Sequence, residues 1–111
     1  MASLRTLHPA FRPYAEDLYR FAQSLDNSFV VTSARRSHAE QSQLYNRFLR
    51  GESGGLPALP PGRSLHEYGF AFDLARPGIR PQDDSTLANL GGLWRMWGGR
   101  WSDRDPVHFQ P

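Results

Sequence analysis

The sequence has no cysteine and no lysine. Without cysteine there is no disulfide framework and no thiolate metal site, so any metal must be held by histidine and carboxylate. All thirteen basic side chains are therefore arginine. They are scattered rather than blocked, so a formal charge of +2 and a pI near 9.5 do not point to nucleic acid as a partner. Long apolar runs are also missing: nothing approaches a membrane span, and no early segment pairs a basic start with the apolar stretch of a signal peptide. These absences lead us to expect a protein that is cytoplasmic until released, with no membrane or nucleic-acid partner.

What is present is globular. Apolar residues make up 39% and aromatics 13% of 111 residues, enough for one small domain over residues 1–111 and no second module. No internal repeat is visible.

From Pro9 to Leu25 the chain reads as a helix, with Tyr14, Leu18, Phe21, Ala22 and Leu25 at helical spacing. Phe29 to Thr32 reads as a short strand. Ser37-His38-Ala39-Glu40 is a capping box that starts a second helix, whose expected buried stripe is Leu44, Tyr45, Phe48 and Leu49 and whose C-terminal cap is Gly51. Residues 51–62, rich in Gly and Pro, form a loop. Gly69 to Leu74 alternates, with Phe70, Phe72 and Leu74 on the core face and Gly69, Ala71 and Asp73 on the other. Pro77 to Asp84 reads as a further loop. Leu87, Leu90, Trp94 and Trp97 mark a third helix stopped by Gly98-Gly99, and Val107 to Gln110 a last strand. Helices that precede and interrupt short strands imply an α+β fold.

Two segments carry the chemistry: Ser64-Leu65-His66-Glu67-Tyr68-Gly69-Phe70-Ala71-Phe72-Asp73, and Asp105-Pro106-Val107-His108-Phe109. They offer two imidazoles and a carboxylate as metal ligands, and a second carboxylate beside the last histidine. That is the inventory of a catalytic zinc site: three protein ligands, an open position and a base. On one helix His66 and Asp73 would stand roughly 10 Å apart along the axis, and on an unbroken strand they would face opposite ways. A bend at Gly69 resolves both difficulties.

The run Ser64-x-His66-x-x-Gly69-x-Ala71-x-Asp73 resembles the zinc motif of the family holding D-alanyl-D-alanine carboxypeptidases and L-alanyl-D-glutamate endopeptidases. The ending Trp97-Gly98-Gly99-x-Trp101, with Asp105-x-x-His108-Phe109 after it, resembles the second half of that motif. Ser33-Ala34-Arg35-Arg36-Ser37-x-x-x-Gln41 looks like the family's Ser-Gly-Tyr-Arg-Ser-x-x-x-Gln segment. The resemblance runs from about residue 29 to the end. It implies a small antiparallel sheet flanked by helices, like the hedgehog and D-Ala-D-Ala-peptidase fold, and one zinc ion on His66, Asp73 and His108. It further implies Asp105 as catalytic base and acid and Arg36 as the arginine facing the substrate carbonyl or carboxylate, with Gln41 and Ser64 hydrogen-bonding around that arginine and the first ligand. Ala34-Arg35 stands where the family has Gly-Tyr, so Arg35 is an alternative to Arg36. Asp103 is a rival to Asp105, set aside because its spacing to His108 differs from the family's. Glu67 is expected at the surface or behind the ligands, His8 and His38 in solvent, and the three tryptophans in the core rather than in a sugar-stacking platform.

The implied activity is that of a zinc peptidase acting as a monomer on bacterial peptidoglycan stem peptides, as an endolysin or wall-remodelling enzyme. Asp rather than Glu in the last motif favours the L-alanyl-D-glutamate endopeptidase branch. The alternatives are a D-alanyl-D-alanine carboxypeptidase or dipeptidase and, from another class, a non-catalytic wall-binding domain that keeps zinc for structure.

Overall fold

The computed structural model describes residues 2–54 and 57–111. Three helices, α1 (Arg12–Leu25), α2 (His38–Leu49) and α3 (Ser85–Met96), surround a sheet of β1 (Val30–Ser33), β2 (Phe72–Ala75) and β3 (His108–Phe109). The strand order is β1-β2-β3, antiparallel throughout, which is the expected α+β architecture. Short 3₁₀ turns occupy Leu4–Thr6, Leu65–Tyr68 and Pro81–Asp83; the last lies within the expected Pro77–Asp84 loop. The 51–62 loop is irregular where described, and residues 55 and 56 lie outside the described residues.

The sheet separates two environments by its pleat. Phe72, Leu74 and Phe109 are fully buried on one face, where the Phe72 and Phe109 rings stack 5.3 Å apart. Trp94 of α3 meets both edge-on, and Leu18 and Ala22 of α1 close the core. Each such large side chain contributes about 1.5–3 kcal/mol of burial. Asp73 and His108 are cross-strand partners and therefore share the opposite face.

Helix α1 begins at Arg12 rather than Pro9, because Pro13 fits only the first helical turn. Its buried face is Ala15, Leu18 and Ala22, while Tyr14, Phe21 and Leu25 are exposed. The small alanines let the Leu4–Thr6 turn and α3 approach the helix. Helix α2 starts at the expected capping box, with Ser37 and Glu40 bonding reciprocally. It ends in a Schellman turn, Gly51 N–H to Phe48 and Glu52 N–H to Arg47. Its expected apolar stripe is not buried: Phe48 and Leu49 are exposed, Leu44 and Tyr45 half-buried, and Gln41 alone is inside. The reason is that α2 lies beside a cleft rather than over the core, so its inward side meets polar groups.

Candidate metal centre

His66 sits on the 3₁₀ turn Leu65–Tyr68, which Ser64 caps by accepting from the His66 N–H. The turn ends at Gly69 in the left-handed region, φ 78°, and the chain then enters β2. A side chain at Gly69 would come within 2.6 Å of the His8 backbone nitrogen, so both conformation and space demand glycine there. This is the expected bend, and it brings His66 and Asp73 together.

Three atoms converge. His66 Nε2 lies 3.1 Å from Asp73 Oδ1 and 3.2 Å from His108 Nδ1, and His108 Nδ1 lies 3.3 Å from Asp73 Oδ1. The outer nitrogens fix the tautomers. His66 Nδ1 donates to the Ala34 carbonyl at 2.7 Å, and His108 Nε2 donates to Gln110 Oε1 at 2.7 Å. In neutral rings the inner nitrogens then carry lone pairs, so three acceptors face one point with no proton between them. Ligands about 2.0–2.1 Å from a tetrahedral zinc stand about 3.3 Å from one another, and this triangle fits. Among the described residues this is the one cluster of three such groups suited to a metal.

The electrostatics read the same way. Burial alone would raise the Asp73 carboxyl, but contacts with His108 and His66 outweigh it and hold it well below the usual carboxylate range. Burial would lower His108, but Asp73 prevails and raises it. The centre favours positive charge, as proton or as cation.

A cleft of about 530 Å³ opens over these atoms, lined also by Arg36, Gln41, Ser64 and Asp105. Arg36 donates to Asp73 Oδ2 and to Gln41 Oε1, each at 3.3 Å; Gln41 in turn donates to the Leu59 carbonyl at 2.9 Å. Arg35 is exposed and absent from this cleft. Asp105 occupies the turn before β3, half-buried, while Asp103 is exposed. Burial raises the Asp105 carboxyl above its ordinary value, and the pull of His108, His66 and Arg36 does not cancel this. Trp101 anchors that turn by donating to the Pro106 carbonyl at 2.8 Å, its ring packed so tightly on α3 that a side chain at Gly91 would overlap it. Trp94 is in the core, but Trp97 is 45% exposed.

Two further residues support the candidate ligands: Glu67, for which the second of the two expected placements holds, and Gln110, which sequence reasoning missed. Glu67 is not at the surface: its side chain is fully buried, accepting from the Gly62 and Ser64 N–H groups and pairing with His38. Its signal is the spacing Ser64-x-x-Glu67, a second capping box. Gln110 follows His108 by two on one strand face, the position a period of two assigns to a neighbour.

No protein-family model matches the chain. It is 29% identical over 84 residues to the peptidoglycan L-alanyl-D-glutamate endopeptidase CwlK of Bacillus subtilis (strain 168), a match covering 76% of this chain. The chain spans about half the length of that curated relative, 48%. Among solved structures, the Serratia marcescens L-Ala D-Glu endopeptidase ChiX superimposes with a TM-score of 0.59 at 25% identity, over 96% of this chain and 81% of that one. The vancomycin-resistance D,D-pentapeptidase VanY, as a variant in complex with Zn(II), gives 0.68 at 19% identity over 94% and 71%. The chain thus shares its fold with VanY and ChiX and is similar in sequence to the endopeptidases CwlK and ChiX.

Proposed function

We propose that this protein is a zinc-dependent peptidoglycan peptidase that hydrolyses stem peptides, cutting between L-alanine and D-glutamate. The observation that carries the reading is the convergence of three lone pairs, from His66, Asp73 and His108, in a cleft that also holds Asp105. A structural zinc site has no use for a half-buried carboxylate beside an open cleft. The choice of bond rests on Asp rather than Glu at position 105 and on the similarity to the L-alanyl-D-glutamate endopeptidases CwlK and ChiX.

A zinc ion held by the three ligands supplies Lewis acidity, polarising a carbonyl and lowering the pKa of water toward about 7. Asp105 is the proton carrier, taking a proton from the attacking water and handing it to the leaving amine. Its raised carboxyl lies closer to neutrality than an exposed aspartate, which suits a group that must both accept and donate. Arg36 has two N–H groups committed to Asp73 and Gln41 and keeps the rest of its five donors for the developing oxyanion. Gln41, held by the Leu59 carbonyl, and Ser64, capping the His66 turn, hold arginine and ligand in register.

The test is incubation of the purified protein with peptidoglycan, with chelator and after zinc restoration, and identification of new termini by mass spectrometry. New D-glutamate amino termini, lost with chelator and restored by zinc, are the expected result. Release of free D-alanine would assign the carboxypeptidase activity instead. Absence of cleavage by zinc-loaded protein would overturn the enzymatic reading in favour of wall binding.

A further inference from the structure

A second groove, of about 630 Å³, runs between β1 and α2 and shares Arg36, Leu44 and Arg47 with the metal cleft as a common wall. The two spaces adjoin across that wall, and Asp105 lines only the first. Three arginines line the second: Arg35, Arg36 and Arg47. Its one carboxylate, Glu40, is occupied at the helix cap, where it accepts from the Ser37 N–H. Arg36 is committed to Asp73 and Gln41. Among the described residues, the guanidinium groups of Arg35 and Arg47 make no ion pair.

We propose that this groove is an anion subsite of the substrate cleft, with Arg47 as the residue that reads a free carboxylate on the substrate. The inference rests on the peptidase reading above and deepens it. A D-glutamyl residue inside a chain uses its amine and one carboxyl, leaving the other as a carboxylate. That charge is repelled by Asp105 and drawn to the arginines of the second groove, which Asp105 does not line, so the pairing also sets the direction in which the peptide lies. Arg47 stands on the last turn of α2, a helix fixed at both ends by its caps, and its planar fork suits two-point contact with a carboxylate. The exposed Arg35 adds a general positive field at the groove's outer side, and its substitution should alter salt dependence more than selectivity.

The test uses zinc-loaded Asp105→Asn protein and two peptides containing the L-alanyl-D-glutamyl bond, with the spare glutamate carboxyl free in one and amidated in the other. Calorimetry should show the free acid binding about tenfold tighter, the scale of a charge-assisted hydrogen bond. Adding Arg47→Gln should abolish that preference by weakening the acid alone. Equal weakening of both peptides, or of neither, overturns the subsite. Cleavage of the same peptides by the unsubstituted enzyme decides the peptidase reading separately. Should they be neither cut nor bound, titration of the zinc-loaded protein with D-glutamate, followed at the Arg47 guanidinium by ¹⁵N resonance, decides the subsite alone. A saturable shift absent with the diamide of D-glutamate supports it, and no shift overturns it.

Discussion

At the scale of single residues, the site is set by which atom of each side chain is already engaged elsewhere. Ala34 and Gln110 take the outer protons of His66 and His108, so the inner nitrogens are free for a metal. Gln110→Ala should therefore weaken zinc binding by about 10- to 100-fold, the usual effect of removing a partner behind a ligand, measurable by chelator competition. Asp105→Asn should retain stoichiometric zinc while lowering kcat by at least about 10²-fold. The sign of the pH effect follows from its raised carboxyl: the base must be ionised, so activity is lost as pH falls through that raised value. The acid limb of kcat/KM should accordingly lie above the ordinary aspartate value of about 3.9. A limb at or below it would count against Asp105.

Among the elements, Arg76 joins three segments distant in sequence. It holds Asp84 through two nitrogens and Asp26 through the third, lying over the Phe29 ring. Asp84 also caps α3 by accepting from the Thr86 and Leu87 N–H groups, so Asp84→Ala should cost about 1 kcal/mol from the lost cap alone, read by urea denaturation. Hydrogen bonding to the Ser28 backbone and to Arg76 lowers Asp26 to about 2, and Arg76 lowers Asp84 as well. Depressed carboxyls stabilise above their unfolded value near about 3.9 and lose that contribution as pH falls through the folded one. Acid destabilisation through this network should therefore run from about pH 4 to about pH 2, and Arg76→Met should flatten it. These are also the elements at which sequence reading succeeds or fails. The α2 cap, the Gly69 bend and the opposition of Phe72 and Leu74 to Asp73 were legible because each is a local rule of spacing or of φ, whereas the strand starts at Phe72 rather than Gly69 and Ala71 is buried. The burial of α2 was not: whether Phe48 meets core or cleft depends on where the helix is placed, and periodicity carries no such information. The Arg76 junction was equally hidden, since its partners lie 50 and 8 positions away.

For the whole molecule, the metal face and the core share one thin sheet, so register ties activity to folding. A one-residue slip of β3 would bury His108 and expose Phe109. The proposed ion acts on this as a ligand of the native state alone: at free zinc a hundredfold above Kd it adds about 2.7 kcal/mol, about 10 °C in a domain of this size. Calorimetry with and without chelator should show that difference, and equal melting temperatures would argue against an ordered metal site. The grouping of His66, Asp73 and His108 was readable from the two motifs, while the second groove was not, because it is formed by the gap between β1 and α2 rather than by a pattern in either.

The proposed ligands come from a turn, a central strand and an edge strand, with His66 and His108 42 positions apart. In a sequence without cysteine, a bound ion would be the molecule's cross-link, closing that stretch into a ring and removing loop entropy from the unfolded chain as a disulfide would. Unlike a disulfide, this closure is indifferent to reductant and opens with acid or chelator. A protein nicked between β2 and β3 should thus stay joined under a non-chelating phosphine reductant and come apart when its metal is withdrawn.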